Sequence, residues 1–318
     1  MKKALPFFLL MGFSVALWRS ALAQPGQDLT KGKAAMDVTP RATVTVLVDN
    51  VAGGGPMLGE WGAAFLINTD KHQILLDTGG GLTLIGNARS LGVDLTRTEA
   101  IVISHGHGDH TGGLSAVLDA SGPVDLFVHP NVFETRYFKG ESGAEAYSFP
   151  FTRQETIQRV LNLVETEKPT VICEGVMVTG QIPRSNEYED TGLRGVAYLD
   201  SGLTIDDPVL DDQAVFFRAP EGIVIILGCG HAGLVNTMDY VSKLTGEKRI
   251  YAVIGGTHLV SASPSRMQKT VEALRKYDVK KIMLSHCTGL RAYARLANTF
   301  PEKCSWPASG TVIEFGEE

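Results

Sequence analysis

The chain has 318 residues, of which 44% are hydrophobic and 20% are charged, and its formal net charge is −6 at pH 7. This apolar content is ample for a large buried core, so the composition is typical of a globular protein. The negative net charge argues against a nucleic-acid partner, because binding to phosphates needs a basic surface and the sequence shows none.

The first 23 residues have the pattern of a signal peptide. Lys2 and Lys3 give a positive start, the segment from Ala4 to Trp18 is apolar, and small residues occupy the cleavage positions in Ala21-Leu22-Ala23. The alternative is a membrane anchor, but the apolar run is too short to span a bilayer comfortably and Arg19 ends it. We therefore predict cleavage after this tripeptide, export to the periplasm or the medium, and no stable membrane insertion of the mature protein.

Residues 24–41 are polar and predict a flexible lead-in, and residues 42–318 predict a single domain in which strands and helices alternate. Strands are predicted at 43–48, 63–67, 73–76, 100–103, 124–128, around 171 and 176, and at 214–218, 223–227, 250–254, 281–284 and 312–315. Helices are predicted at 82–91, 114–118 (with Thr111 as N-cap), 154–164, 234–244 and 265–277. The aromatic-rich segment 133–151 predicts a loop or lid. Strands dominate each half of this domain, and each half ends in helices. This order predicts an α/β (α+β) fold in which two packed sheets have helices on the outside, a four-layer αββα sandwich.

The strongest chemical signal is the segment Ser104-His105-Gly106-His107-Gly108-Asp109-His110, which follows a predicted strand and precedes a predicted helix. Imidazole nitrogens and carboxylate oxygens are preferred ligands of zinc and similar divalent metals. In an extended segment residues two apart face the same way, so His105 and His107 can converge on one ion, with Asp109 and His110 facing a second. The alternatives are a surface histidine cluster and histidines that are hydrogen-bonded in a core, and neither accounts for this spacing at a strand end.

Further histidines follow other predicted strands. His231 and His286 each lie just after an apolar strand, where their side chains can point into a cleft at one rim of the sandwich. Alone, each could simply bond to the backbone, but beside the first cluster both are interpreted as metal ligands. His258 lies at the end of a third predicted strand. Three roles stay open for it: a metal ligand, a contact to the substrate, or a residue that supports a ligand.

A series of motifs accompanies the His-x-His-x-Asp-His pattern, and they are, in order, Val48-Asp49-Asn50, Leu76-Asp77-Thr78-Gly79, 104–114, His129-Pro130, 179–184, 211–214, 228–233, 255–259 and 286–289. The pattern resembles the signature of metallo-β-lactamase-fold hydrolases, and the order of the motifs is similar to that in the branch that contains the dihydropterin-methyl ribofuranosylaminobenzene phosphate synthases. This resemblance implies an αββα sandwich with one or two divalent metal ions between its sheets, zinc before manganese or iron.

The chain departs from the wider superfamily at Gly228-Cys229, where many members have a metal-bridging aspartate. Cys229 is predicted either to bind a metal as a thiolate or to be a packing residue. In the second case Asp212 or solvent would take the place of the bridging aspartate. Asp77 is predicted to orient a ligand through the far nitrogen of an imidazole. Arg184 is a candidate clamp for an anionic substrate group, with an ordinary surface arginine as the alternative.

These residues predict a metal-dependent hydrolase that acts on an ester-like or phosphorylated small molecule through a metal-activated water. Asp109 is predicted to be catalytic as well as a metal ligand, since it can orient or deprotonate that water. One alternative is a lactonase or β-lactamase-like hydrolase. Another is an exported protein that binds a metal or ligand without catalysis, against which the intact Asp109 argues. Redox chemistry at a di-iron site would need further carboxylate ligands that the sequence lacks.

Overall fold

The computed structural model describes residues 36–140, 143–193, 196–200 and 203–316. The predicted signal peptide 1–23 and most of the lead-in 24–41 lie outside the described residues. Within the described part of the chain, no helix combines the length and the apolar character that crossing a membrane requires.

The strands and helices follow one another along the whole described chain. The strands are β1 Ala42–Val48, β2 Ala64–Thr69, β3 Gln73–Leu76, β4 Ala100–Val102, β5 Asp125–Val128, β6 Arg136–Gly140, β7 Gly143–Ala146, β8 Asn162–Glu165, β9 Thr170–Cys173, β10 Val176–Val178, β11 Val196–Asp200, β12 Leu203–Asp206, β13 Ala214–Ala219, β14 Gly222–Leu227, β15 Ile250–Gly255, β16 Lys281–Leu284, β17 Cys304–Ser305 and β18 Val312–Phe315. The α-helices are α1 Leu84–Ser90, α2 Gly108–Thr111, α3 Leu114–Ser121, α4 Arg153–Arg159, α5 Leu234–Thr245, α6 Pro264–Lys276 and α7 Leu290–Thr299. Short 3-10 helices cover Leu95–Arg97, Pro130–Phe133 and His286–Thr288.

Two seven-stranded sheets form the centre of the molecule. The first has the order β18-β1-β2-β3-β4-β5-β8 and the second β17-β16-β15-β14-β13-β10-β9. In each sheet an antiparallel part continues into a parallel part, which runs from β3 to β8 in the first and from β14 to β17 in the second. The carboxyl ends of parallel strands share one edge, so the segments that follow β4, β14, β15 and β16 emerge at common rims.

Three buried apolar clusters separate four layers. The middle cluster joins side chains of the two sheets, such as Phe65 with Val215 and Phe217. A second cluster packs α1 and α3 on the outer face of the first sheet, and a third packs α5, α6 and α7 on the outer face of the second. This arrangement confirms the predicted αββα sandwich.

The segment 133–151 differs from its prediction as a loop. It contains β6 and β7, an antiparallel hairpin that joins β11 and β12 in a four-stranded sheet of order β12-β11-β6-β7. Its strands are short and lack a clear alternation of apolar and polar residues, so the pattern that identifies a half-buried strand is weak here. The aromatic residues 149 and 151 instead pack at the outer core of the first sheet.

Two helix predictions were wrong in their bounds. The helix predicted at 154–164 ends at Arg159, and β8 begins three residues later, because Val160 already has extended backbone angles. Thr111 is not the N-cap of α3: it is the last residue of α2, and Gly113 precedes α3. The hydroxyl of Thr111 donates to the carbonyl of His107 within that short helix, so it supports the histidine loop instead.

Candidate metal centre

The loop between β4 and α3 carries four side chains into the space between the sheets. His105, His107, Asp109 and His110 are all buried, although each is polar or charged. His107 is the extended residue before α2, so the chain turns there and directs Asp109 and His110 to a different point from His105 and His107. The loop therefore presents two sets of ligands, as its spacing predicts.

The first set is completed by His231, which follows β14. One ligand atom from each of His105, His107 and His231 lies within 4.8 Å of the others. The Nε2 atoms of His105 and His231 are buried and have no hydrogen-bond partner. A buried nitrogen lone pair without a partner is costly, and a cation at this point would satisfy it.

The outer nitrogen of each ring in this set is held by an acceptor. The Nδ1 atom of His105 lies 2.8 Å from the Ser104 hydroxyl, which itself donates to Asp77. The Nδ1 atom of His231 lies 2.7 Å from the Thr191 carbonyl, and the Nε2 atom of His107 lies 3.1 Å from the Asp207 carboxylate. Because these partners accept, the ring protons stay on the outer nitrogens and the inner nitrogens keep their lone pairs.

The second set joins Asp109 and His110 to His286, which follows β16. Their ligand atoms also lie within 4.8 Å of one another, and the Nε2 atoms of the two histidines are 3.3 Å apart. The outer Nδ1 of His110 lies 2.7 Å from Asp77, and that of His286 lies 2.9 Å from the Asn50 side-chain oxygen. Two imidazole nitrogens and a carboxylate that face one point form a second place for a divalent ion.

Electrostatics favour neutral ligands in the first set and a cation in the second. Burial, together with the neighbouring imidazoles, holds the pKa values of His105 and His231 well below the usual range, so both stay neutral. Burial alone would lower the pKa of His110, but the carboxylates of Asp109 and Asp77 raise it to about 9. Burial would raise the pKa of Asp109, yet His110 and His286 outweigh it and keep that carboxyl ionised. The buried Asp109 carboxylate therefore stays ionised at the second point, where its charge attracts a cation.

Asp77 is a central support of this loop. Its left-handed backbone, with φ of 61°, places the carboxylate under the loop, where it accepts from the Ser104 backbone, the Ser104 hydroxyl and His110, each at 2.7 Å. One carboxylate therefore fixes His110 directly and His105 through Ser104.

Three supporting residues were not identified from the sequence. The guanidinium of Arg136, at the start of β6, donates to Asp207 at 2.7 Å and to Asp211 at 2.6 Å. Asp207 in turn holds His107, and Asp211 accepts from the backbone of Gly106 at 2.7 Å. All three side chains are buried, so they tie the four-stranded sheet to the histidine loop. The only sequence signal for them was Asp211, within the motif at 211–214.

Tyr147 is a further residue that the sequence did not single out. It follows β7, its hydroxyl donates to Asp109 Oδ1 at 2.5 Å, and its ring lies 5.0 Å from that of His107. Burial and the neighbouring Asp109 charge raise the pKa of Tyr147, so the phenol keeps its proton and donates.

The remaining candidates occupy varied positions. Cys229 Sγ lies 3.1 Å from His110 Nε2 and within 4.8 Å of the ligand atoms of His105 and His110. Asp212 accepts from the backbone of Ala232 at 2.7 Å, and burial raises its pKa to about 7.

Arg184 is exposed and donates to the carbonyls of Pro208 and Val209 at 2.5 and 3.0 Å, so part of its guanidinium group is already bonded to the backbone. His258 lies beside His231, with ring centroids 4.3 Å apart.

Comparisons with known proteins agree with this geometry. A sequence profile described as "Metallo-beta-lactamase superfamily" matches residues 62–286. The 7,8-dihydropterin-6-methyl-4-(β-D-ribofuranosyl)-aminobenzene-5'-phosphate synthase of Methanocaldococcus jannaschii is 29% identical over 282 residues, which cover 86% of this chain and 96% of that protein. An uncharacterized protein of the same organism is 31% identical over 80% of this chain and 93% of its own length.

Solved structures give the same result for the fold. A crystal structure described as a metal-dependent hydrolase of the beta-lactamase superfamily is 26% identical and superposes with a TM-score of 0.74, covering 87% of this chain and 100% of its own. Zn(2+)-bound PqqB from Methylobacterium extorquens, at 12% identity and a TM-score of 0.53, covers 85% of this chain and 99% of its own and shares the fold.

Proposed function

Since this chain belongs to the metallo-beta-lactamase superfamily, we propose that it is a metal-dependent hydrolase of an ester-like or phosphorylated small molecule. One observation carries the proposal. Five buried histidines and Asp109 direct their ligand atoms to two adjacent points, while the outer nitrogen of each ring is held by a fixed partner. The hydrolase described for the superposed relative supports the same reaction class.

The residues fit one or two divalent ions, with zinc before manganese or iron. His105, His107 and His231 would hold the first, and Asp109, His110 and His286 the second. The partnerless Nε2 atoms of His105 and His231 are the physical reason for expecting an ion there. When bound, such an ion supplies Lewis acidity, which polarises a substrate oxygen and makes water nucleophilic near neutral pH.

The chain's own residues would then position the reactants. Asp109 has two distinct oxygens: Oδ2 faces His286 Nε2 at 3.3 Å, and Oδ1 accepts from Tyr147. The Tyr147 hydroxyl fixes the rotation of this carboxylate, which can then accept a hydrogen bond or a proton from an attacking water molecule. Burial of the surrounding imidazoles strengthens each of these interactions, because bulk water is excluded.

A second candidate is group transfer to a nucleophile other than water. The likeness to the Methanocaldococcus jannaschii synthase over most of both chains favours it. Lactone or β-lactam hydrolysis is a narrower case of the first proposal and uses the same residues. An exported protein that binds a metal or ligand without turnover is the remaining alternative.

The test is turnover by metal-reloaded protein on a panel of simple esters, lactones, β-lactams and phosphodiesters. We expect hydrolysis of at least one class. In Asp109→Asn we expect kcat to fall by roughly two to four orders of magnitude with KM little changed, as when a group that acts on the nucleophile is lost. His72→Ala is the matched control, because His72 bonds to Glu99 away from the centre.

Three outcomes would contradict parts of this proposal. A protein that carries metal but hydrolyses nothing in the panel would favour the binding function. Turnover that requires a second organic nucleophile would favour group transfer. Recovery of the Asp109→Asn rate at high zinc, manganese or iron would leave Asp109 as a ligand only.

We also propose that the protein is exported, to the periplasm or the medium. The proposal rests on Lys2, Lys3, the apolar run that follows and Ala21-Leu22-Ala23. Mature protein from the native host should begin at or near Gln24. N-terminal sequencing that finds an intact Met1 on cytosolic protein would overturn this localisation.

A further inference from the structure

A second cluster of side chains that could bind a metal lies beside the proposed hydrolytic centre, which consists of His105, His107, Asp109, His110, His231 and His286. It consists of Cys229, His258 and Cys287, whose ligand atoms all lie within 4.8 Å of one another. The three residues follow β14, β15 and β16, which are parallel neighbours. Neither thiol is in a disulfide, and both cysteines are buried. The proposed hydrolysis assigns no role to Cys287 or His258.

Gly256 explains how two cysteines from non-adjacent strands come together. Neighbouring strands lie about 4.8 Å apart, so β14 and β16 are separated by about twice that distance with β15 between them. A Cβ atom on Gly256, directly after β15, would lie 2.7 Å from Cys287 Sγ and 3.1 Å from Cys229 Cα. Only glycine therefore leaves room for the sulfur atoms to approach each other across the middle strand.

His258 is held in an unusual conformation that brings it to the sulfur atoms. Its φ is 45°, in a left-handed region that residues other than glycine rarely adopt. Its backbone N–H donates to Cys287 Sγ at 3.3 Å, and its Nδ1 is buried without a hydrogen-bond partner. Gly192 packs on the ring, since a Cβ there would lie 2.3 Å from His258 Cδ2. Strain of this kind persists where the surrounding structure requires it, often at a ligand site.

We propose that Cys229, His258 and Cys287 bind a thiophilic divalent cation of the zinc class, separate from the ions of the histidine–aspartate centre. Two thiolates and an imidazole are a common zinc ligand set, and they leave one tetrahedral position open. Binding releases the two thiol protons, so the ion and its ligands together carry no net charge. A neutral group can be buried close to other cations with little repulsion.

The position of Cys229 gives this site a link to the hydrolytic centre. Its sulfur lies 3.1 Å from His110 Nε2 as well as in the cluster with His258 and Cys287. An ion bound to Cys287 and His258 would hold that sulfur at the place where many superfamily members have a bridging carboxylate. The site would then position Cys229 beside the second set of ligands.

The test uses full-length protein stripped of metal and titrated with Co²⁺ and then Zn²⁺ under reducing conditions. Thiolate ligation of Co²⁺ produces an intense near-ultraviolet charge-transfer absorption, and elemental analysis counts the ions bound. We expect wild type to bind one ion more than Cys287→Ser and His258→Ala, and the charge-transfer absorption to fall by about half or more in Cys287→Ser. Cys173→Ser is the matched control, because Cys173 is also a buried free thiol but lies in β9.

The readouts are ion count and absorption, so failure of hydrolysis would not affect them. Equal ion counts in wild type, Cys287→Ser and His258→Ala would overturn the proposal. An unchanged absorption in Cys287→Ser would also overturn it, since Cys229 alone would then bind within the histidine centre. The proposal would also be overturned by a protein mass two hydrogen atoms below that of the dithiol form, if a reductant returned it to the dithiol mass. That result would show a Cys229–Cys287 disulfide in place of the cation site.

Discussion

The two halves of the sandwich contribute to the metal centre in different ways. The first half supplies four candidate ligands from one loop, 105–110, between β4 and α3. The second half supplies its two residues one strand at a time: His231 after β14 and His286 after β16. A single loop concentrates ligands, whereas a row of strand ends spreads them along a rim.

The supports of these ligands differ in the same way. In the first half, Asp77 holds His110 directly and His105 through Ser104, so one carboxylate serves both ion positions. The histidines of the second half have separate supports: His231 is held by the Thr191 carbonyl, and His286 by Asn50, which follows β1 in the first half. Loss of Asp77 should therefore affect both ion positions, whereas loss of a separate support such as Asn50 should affect only one.

The largest effect should come from the shared loop itself. His107→Ala removes a ligand of the first ion and leaves the buried Asp207 carboxylate without its imidazole partner. We expect most bound metal and most activity to be lost, measured by elemental analysis and turnover after reloading. His72→Ala should change neither, and equal metal content in the two variants would refute the assignment of the centre.

The second largest effect should distinguish a residue that supports both ion positions from a residue that supports only one. Asp77→Asn should weaken metal binding by roughly 10–100-fold, the usual range when a partner of a metal-bound histidine is lost, and should do so at both ion positions. Asn50→Ala should weaken only the ion at His286. Stepwise titration with zinc measures both constants. If Asp77→Asn affected one ion alone, the contrast between shared and separate supports would not hold.

The smallest effect should come from the contact made by the four-stranded sheet. Tyr147→Phe removes one hydrogen bond to the Asp109 carboxylate, for which we take about 1.5 kcal/mol, the lower value for a charged acceptor. We expect kcat to fall by about tenfold or somewhat more, with metal content unchanged, because Tyr147 contacts Asp109 at the oxygen opposite His286. Loss of metal in this variant would show that the phenol supports the ligand geometry.

The sequence predicted what depends on contiguous residues. The loop 105–110 was readable because its ligands are close in the chain, and His231 and His286 were placed by the strands that precede them. Arg136 and Asp207 were not, because they meet across 71 positions and no local pattern distinguishes them from surface charges. The four-stranded sheet was missed for a related reason: its short strands pair across distant segments, and only pairing defines them.

The four-stranded sheet also bears on how such a protein changes over generations. The six candidate ligands of the metal centre belong to the sandwich, and the sheet reaches them through Arg136 and through Tyr147, the residue that follows β7. Hairpins tolerate insertions and deletions far better than packed strands do. Selection can therefore lengthen or shorten the β6–β7 and β11–β12 hairpins while the candidate ligands of the sandwich are inherited unchanged. A library randomised in these hairpins would vary the surroundings of the metal centre and leave its candidate ligands in place.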